Sequence, residues 1–157
     1  MRVVVNASPL IILSKSGLAD LLPQLCDEVF VPQAVWTEVL AGDDIAARVL
    51  ESATWARLTA IEITEPTIIE WNLGAGESEV LSLALTLPGC RAMVDDRAAR
   101  ACARTLQIAT LGTGGLLVRA KRQGLLASVT DALQKVSDAG LWLSDEVKRL
   151  LKEQAGE

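Results

Sequence analysis

The sequence predicts an α/β fold, a three-layer α/β/α sandwich with a central parallel sheet of about five strands. Short runs of apolar and β-branched residues alternate along the chain with longer segments of helical periodicity. The short runs contain few polar residues, which is typical of strands buried on both faces of a parallel sheet. The segments between them are long enough for the crossovers that βαβ units need, so we expect the strands to be parallel.

The first predicted strand, at residues 2–6, is expected to be central in the sheet. It contains the β-branched run Val3–Val5 and is closed by the polar residue Asn6. The other strands are predicted at residues 28–31, 57–63, 91–94 and 107–111.

The remaining segments are predicted to be helical because their apolar residues recur at helical spacing. Ser8 is a predicted N-cap with Pro9 at the first helical position, and Thr113 is the predicted N-cap of a later helix. The predicted helices are residues 9–16, 18–25, 32–40, 43–52, a short helix from Pro66, a helix that ends near Leu87, and residues 98–106, 112–122, 129–138 and 144–153.

Length and composition fit one globular domain, residues 1–157. Half of the 157 residues are hydrophobic, and the chain contains no internal repeat or interdomain linker. The 15 basic and 20 acidic residues give a net charge of -5, which argues against a basic protein that coats nucleic acid. An enzyme that meets a polyanion through a metal ion and a local basic patch stays compatible with this charge.

Histidine is absent, which excludes Ser-His-Asp and Cys-His catalysis and histidine-bound zinc. Cys26, Cys90 and Cys102 are odd in number and lack paired metal spacing, so we expect buried thiols in a reducing compartment. Asn6 interrupts the apolar run Val3–Val5, and no run approaches the ~20 apolar residues of a membrane span. We therefore expect a soluble cytoplasmic protein that does not associate with membranes.

The segment Ala92–Arg97 has the most unusual chemistry, because a predicted apolar strand ends there in two adjacent carboxylates, Asp95 and Asp96. The carboxyl end of a parallel strand faces a crevice in which open α/β sheets bind ligands. Adjacent carboxylates repel each other unless a cation offsets their charge, which favours a divalent metal ion. The alternative is structural, since an aspartate is also a favoured N-cap for the helix that follows.

Three further polar residues are expected near the same crevice. Asn6 follows the first strand, and Glu77 begins a helix and faces inward, whereas Glu79 is expected to face solvent. Glu38 lies at the edge of an apolar stripe, where it is either solvated or reaches the crevice. Glu77 also has a structural explanation, because an acidic residue in the first helical turn is favourable. Together these residues form an all-oxygen site, which Mg²⁺ or Mn²⁺ prefers and which supports phosphodiester hydrolysis.

Five short motifs occur in a specific order along residues 2–126. They are VVVNASPL at residues 3–10, Val31-Pro32 with Val35 and Glu38, GESE at residues 76–79, VDDR at residues 94–97 with Arg100, and Gly112-Thr113 with Ala120-Lys121 and Gly124. Each motif alone is weak, but their order and spacing resemble the PIN domain family. That family includes the VapC-type toxins, and the closest resemblance is to an uncharacterised bacterial PIN-like branch.

This resemblance implies a PIN-like fold and a metal-dependent endoribonuclease. Glu38, Glu77 and Asp95, or its neighbour Asp96, would bind Mg²⁺ or Mn²⁺, and with Asn6 they would form the catalytic set. The implied substrate is RNA. The expected substrate-binding residues are Ser8, Arg97, Arg100 and Thr113. Two protein partners are also implied: a small antitoxin, if the chain is the toxin of a toxin–antitoxin pair, and a second copy in a homodimer.

Asn6 departs from the family pattern, in which the first strand ends in an aspartate. Asparagine keeps one acceptor oxygen but loses the negative charge, so the affinity for a metal ion should fall. Three explanations are open. The site works with a neutral ligand, the protein has lost catalysis and retains binding, or the change was engineered to silence a toxic nuclease.

Several other residues have two explanations. Arg97, Arg100 and Arg104 lie at helical spacing and form either a phosphate-facing stripe or a solvated basic face. The same two explanations apply to Arg119, Lys121 and Arg122. The four tryptophans are expected in the core, and with one phenylalanine and no tyrosine the chain has few residues for base stacking. The tryptophans are Trp36, Trp55, Trp71 and Trp142.

Two rival functions compete with the nuclease. One is a catalytically silent PIN-like module that binds RNA or a protein partner, and such a module could lose Glu38 and Glu77 without effect. The other is a phosphatase of the haloacid dehalogenase type, which also uses a strand-end aspartate and a later Asp-Asp pair. That enzyme needs an aspartate nucleophile where this chain has Asn6, which argues against it.

Overall fold

The structure, a computed structural model, describes residues 1–157 and contains a five-stranded sheet in which all strands are parallel. The strands are β1 (Arg2–Val5), β2 (Glu28–Pro32), β3 (Ala56–Thr59), β4 (Cys90–Met93) and β5 (Thr110–Leu111). Their order in the sheet is β3-β2-β1-β4-β5. The first strand is therefore central, as the sequence predicts.

Ten helices flank the sheet and complete the predicted α/β/α sandwich. They are α1 (Ala7–Lys15), α2 (Leu21–Leu25), α3 (Gln33–Ala41), α4 (Ile45–Ser52), α5 (Pro66–Trp71), α6 (Ala75–Thr86), α7 (Arg97–Thr105), α8 (Thr113–Arg122), α9 (Val129–Asp138) and α10 (Asp145–Gln154). None of these helices combines the length and the hydropathy that crossing a membrane requires.

Burial of the valine run explains why β1 is central. Val3, Val4 and Val5 have no exposed surface, and β1 pairs with β2 on one side and with β4 on the other. The three valines belong to a cluster of 41 buried residues. Because burying a side chain of this size contributes about 1.5–3 kcal/mol, a position between two other strands is strongly favoured.

Two strands are shorter than the sequence predicts. β3 ends at Thr59 because Thr59 pairs with Pro32, the last residue of β2, after which the chain enters α3. β5 contains only Thr110 and Leu111, which pair with Ala92 and Met93. Leu106 and Gln107 form a turn in which Gln107 has a left-handed φ of 57°, so the strand cannot begin at Gln107.

Two predicted N-caps are displaced toward the sheet. Asn6, rather than Ser8, is the N-cap of α1, because the chain turns directly after β1 with Asn6 in an extended conformation. Gly112, rather than Thr113, is the N-cap of α8. Neither cap residue uses its own side chain as an acceptor. Both helices therefore begin immediately at the edge of the sheet.

The prediction that all tryptophans lie in the core is wrong. Trp36 and Trp55 are half-buried against the core, but Trp71 is 38% exposed and Trp142 is 83% exposed. Trp142 lies in the segment between α9 and α10, where its neighbour Leu141 is buried instead. The three cysteines are free and buried, which confirms that prediction.

The side chain of Glu157 caps helix α9. Its carboxylate accepts hydrogen bonds from the Thr130 hydroxyl at 2.7 Å and from the amides of Val129 and Thr130 at 2.6 and 3.0 Å. Lys121 Nζ lies 3.3 Å away. The Thr130 hydroxyl and these amides lower the pKa of Glu157 from 4.5 to about 2. The residue thereby joins α8, α9 and the segment after α10.

We expect Glu157→Gln to lower the free energy of unfolding at neutral pH. A carboxyl group whose pKa is lowered by folding stabilises the protein fully above its unfolded value of 4.5 and loses this contribution as the pH falls towards about 2. Urea unfolding at a series of pH values measures the difference between the two proteins. The difference should shrink across this window.

Glu153→Gln is the matched control, because Glu153 pairs with Arg149 on an exposed helix face and should contribute little at any pH. If the difference in the free energy of unfolding between wild type and Glu157→Gln stays constant below pH 4.5, the cap is not the source of the stabilisation.

Candidate functional site

The carboxyl edge of the sheet gathers most of the predicted site residues, because the parallel strands β1, β2 and β4 all end there. Asn6 directly follows β1, and its backbone amide donates to Met93 O, at the end of β4, at 3.0 Å. Glu38 lies in α3, which follows β2, and Asp95 lies shortly after β4. Polar residues from distant parts of the sequence therefore surround one edge.

A cavity of about 270 Å³ at this edge brings together Asn6, Ser8, Glu38 and Glu77. Its other lining residues are Ala7, Ile11 and Ile12. Glu38 is exposed, and Glu77 is half-buried in the first turn of α6. Neither carboxylate is paired with a lysine or an arginine. Two acidic side chains thus share a cavity without a basic side chain to offset their charge.

The amide oxygen of Asn6 is the least satisfied polar atom of this cavity. Asn6 is 3% exposed, and its Oδ1 is buried without a hydrogen-bond partner. Leaving a buried acceptor unpaired costs about 1–3 kcal/mol, so such an atom calls for a functional explanation. The oxygen is directed at a space that it shares with a carboxylate, as the neighbouring glycine shows.

Gly76 keeps this space open. A Cβ on Gly76 would lie 3.1 Å from Asn6 Oδ1 and 3.8 Å from Glu38 Oε2, so any side chain would fill the space between these two oxygens. Gly76 is the second residue of α6, directly before Glu77. The sequence analysis includes Gly76 in a motif but gives it no role. The role of Gly76 can be recognised only from the structure, because the open space beside it is formed by residues at α1, α3 and α6.

Glu79 does not face solvent, which corrects the prediction made from helical periodicity. Its Oε2 accepts a hydrogen bond from the amide of Ala34 at 2.9 Å and so caps the first turn of α3. Pro32, the N-cap of α3, has no side-chain acceptor for this purpose. The bond ties α6 to α3, and it holds Glu77 and Glu38 in a fixed relation. Periodicity within α6 gives no signal for it, because the partner lies 45 residues away.

Asp95 is not among the residues that line the cavity, and its carboxylate anchors helix α8. Its carboxylate accepts hydrogen bonds from the Thr113 amide at 2.8 Å and from the Thr113 hydroxyl at 2.5 Å. Thr113 is fully buried, so its hydroxyl is committed to this contact. A Cβ on Gly112 would lie 3.2 Å from Asp95 Oδ1 and 3.0 Å from Arg100 Nη1. The carboxylate and the guanidinium therefore both approach the backbone at Gly112.

Asp96 and the arginines that follow belong to α7 and its N-cap. Asp96 is exposed and accepts a hydrogen bond from the Ala99 amide at 2.9 Å, which is the capping role that an aspartate at this position can have. Arg100 donates to Val94 O at 3.2 Å. Arg97, Arg100 and Asp95 line a separate groove that shares no lining residue with the cavity. The structure thus divides the predicted site into a cavity with Asn6, Glu38 and Glu77 and a basic groove beside Asp95.

Comparison of the sequence with known protein families gives one match. The sequence model of a family described as a PIN domain matches residues 2–157. The chain belongs to the PIN domain family. A search of curated proteins found no match. The match extends over α9 and α10, beyond the residues that carry the motifs, and the all-parallel sheet with flanking helices is the PIN-like, nuclease-type architecture.

PIN domains are generally dependent on divalent metal ions, so the donor atoms of this PIN domain need to be compared with that requirement. No group of three or more acidic, histidine or cysteine side chains converges in the structure. Mg²⁺ does not need such a group, because it is commonly held by one or two carboxylates while water or substrate oxygens complete its coordination. Glu38 and Glu77 with the unpartnered oxygen of Asn6 fit this type of site.

We expect Asp95→Ala to lower the free energy of unfolding of this PIN domain by about 2–4 kcal/mol, because it leaves the buried amide and hydroxyl of Thr113 without an acceptor. Asp95→Asn should lower it by at most about 1 kcal/mol, since a carboxamide can pair with both groups. Chemical denaturation measures both changes.

The neighbouring variant Asp96→Ala is the matched control, and it should cost about 1 kcal/mol through the loss of a helix cap. If Asp95→Asn destabilises the protein as much as Asp95→Ala, α8 is held by the negative charge of Asp95 and not by its hydrogen bonds.

Proposed function

We propose that this PIN domain is a metal-dependent endoribonuclease that hydrolyses phosphodiester bonds of RNA with Mg²⁺ or Mn²⁺. One observation carries the proposal. Glu38 and Glu77 share a cavity with the unpartnered amide oxygen of Asn6, and no basic side chain neutralises the two carboxylates. Such a donor set suits a hard cation and not a soft one.

Each residue of the two sites has a role in this proposal. Glu38, Glu77 and Asn6 would hold the divalent cation, which when bound supplies water activation and charge compensation at the phosphate. Arg100 and Arg97 would orient the phosphodiester from the groove side, because guanidinium groups match phosphate oxygens in geometry and charge. Ser8 would contact substrate from the cavity wall.

Asp95 and Thr113 have a supporting role in the same proposal. The carboxylate of Asp95 holds α8 through Thr113 and lies in the groove with the arginines. Each carboxylate oxygen of Asp95 keeps a lone pair beyond its bond to Thr113, and with it Asp95 would help to hold the cation. Asp96 has its carboxylate at the start of α7 and contributes negative charge from a greater distance.

The buried, unpartnered oxygen of Asn6 favours an active site with a neutral ligand over a silent binding module. A silent binding module has no need for a buried, unpaired oxygen, because replacing Asn6 with an apolar residue would relieve its cost. Three further predictions rest on family resemblance alone. They are that the chain is a toxin, that it binds a small antitoxin, and that it forms a homodimer. The three free, buried cysteines favour a reducing compartment such as the cytoplasm.

We expect the protein to cleave single-stranded RNA when Mn²⁺ or Mg²⁺ is added, and Glu38→Gln and Glu77→Gln each to reduce the rate by about 100-fold or more. Even residues that only support metal ligands cost about 10–100-fold when they are changed. Asn6→Asp should lower the Mn²⁺ concentration needed for half-maximal cleavage, because it restores a negative charge to the site. Gel analysis of a labelled RNA measures both effects.

Glu51→Gln is the control, because Glu51 is an exposed partner of Arg48 on α4 and lies outside the cavity. If none of the proteins, including Asn6→Asp, cleaves RNA with either metal ion while RNA still binds, the domain is a binding module and not a nuclease.

We expect Gly76→Ala to reduce metal-dependent cleavage while the fold is retained or becomes more stable. The added Cβ would meet Asn6 Oδ1 at 3.1 Å, and that oxygen could no longer accept a cation in its present place. Alanine is also favoured over glycine by about 0.5–1 kcal/mol within a helix. Cleavage assays and thermal unfolding separate the two effects.

Gly42→Ala is the matched control, since its Cβ would meet no atom closer than Val39 O at 3.4 Å. Full activity of Gly76→Ala would show that the space between Asn6 and Glu38 is not used in catalysis.

A further inference from the structure

A groove of about 580 Å³ lies beside Asp95, between α7 and the segment that joins α9 to α10. Three arginines of α7 form one wall, and Trp142, Ser144 and Val147 lie on the other. The groove is large enough to hold a nucleotide-sized group. Asp95 places one end of the groove after β4, the strand next to β1, which leads into the cavity at Asn6.

Ion pairing does not account for the three arginines of α7, although Arg100 donates to Val94 O and Arg104 lies in the last helical turn, where a positive charge is favourable. Arg97, Arg100 and Arg104 occur at helical spacing, and α7 contains no acidic residue. Like charges three and four residues apart repel each other, and Arg97 adds a positive charge at the positive end of the helix. Four other arginines of this acidic protein are paired with carboxylates, but none of these three is. The cluster is therefore suited to an anion from outside the chain.

Trp142 provides a flat apolar surface opposite these charges. It is 83% exposed, more than any other large hydrophobic residue of the chain. Its neighbour Leu141 is 9% exposed and Leu143 packs against the core, so the backbone on both sides of Trp142 is anchored. An exposed tryptophan on an anchored segment loses little conformational freedom when a ligand stacks on it.

We propose that the groove binds single-stranded RNA, with Trp142 stacking on a base and Arg97, Arg100 and Arg104 contacting phosphates. Aromatic side chains beside a positively charged groove are the general means of binding single strands, because every base has a stacking face and every linkage a phosphate. A duplex offers such faces only at its ends. The identity of the strand as RNA rests on the proposed nuclease function.

Charge also defines which side of Trp142 the strand follows. On the other side of the indole lies a smaller pocket with Asp145 and Lys148, where positive and negative charges offset each other. The groove side has three arginines against the single carboxylate of Asp95, whose oxygens accept bonds from Thr113. From Arg97 to Arg104 the helix rises about 10 Å, enough for more than one phosphate. The strand would therefore run along α7 towards Asp95.

The test is binding of a short labelled single-stranded RNA, measured by fluorescence anisotropy in EDTA so that no cleavage occurs. Trp142→Ala should weaken binding by about tenfold, within the range that loss of one stacked base gives, and Trp142→Phe should restore most of it. Trp71→Ala is the control, because Trp71 is exposed on α5 and does not line the groove.

A charge variant and a duplex separate stacking from electrostatics. Arg104→Gln should weaken binding of single-stranded and duplex RNA alike and reduce the salt dependence by about one unit of slope, whereas Arg48→Gln, which removes an ion-paired arginine on α4, should change neither. Trp142→Ala should weaken the binding of a long duplex far less than that of a single strand, because the duplex exposes base faces only at its two ends. A single-stranded DNA of the same sequence is the remaining probe.

The outcomes distinguish this inference from the nuclease proposal. If Trp142→Ala binds single-stranded RNA as tightly as the wild type, the inference is wrong even when the protein cleaves RNA. If Trp142→Ala loses RNA binding but no variant cleaves RNA, the inference about the groove is supported and the nuclease proposal is wrong. Binding of neither strand, or a Trp142 dependence for DNA alone, overturns the assignment of RNA to this groove.

Discussion

The pairing of β1 with strands on both of its sides is the constraint on which the site depends. Three consecutive valines without exposed surface can be accommodated only in the interior of the sheet, and the chain must turn as soon as they end. The residue at this turn, Asn6, donates its amide to the end of β4 and is buried before α1 begins. A polar side chain is therefore held at the sheet edge by the hydrophobic effect acting on its neighbours.

The acidic residues around the site fall into two groups by what they bind. Glu79 and Asp96 accept backbone amides at the starts of α3 and α7, and Asp95 holds the first residue of α8. These carboxylates are engaged with the protein and fix the helices around the sheet edge. Glu38 and Glu77 have no such partners, so they are the acidic side chains at this edge that a ligand can engage without breaking a helix cap.

Much of the fold and part of the site can be predicted from the sequence, and the limits have physical causes. Apolar runs and helical periodicity identify every strand and helix, because burial of one face is encoded locally. The role of Glu79 escapes this reasoning, since its partner Ala34 belongs to another helix. The exposure of Trp142 also escapes it, because composition associates tryptophan with burial. The space kept by Gly76 arises only from three helices together.

The burial of the three cysteines affects which metal ions find ligands in this protein. Burial raises the pKa of each thiol, that of Cys26 to about 11, so burial favours the protonated thiol over the thiolate. Since histidine is also absent, the chain has neither imidazole nor exposed thiolate ligands, which are the ligand types that zinc and copper sites most often use. The same burial keeps the thiols away from peroxide, because the thiolate is the form that such oxidants attack.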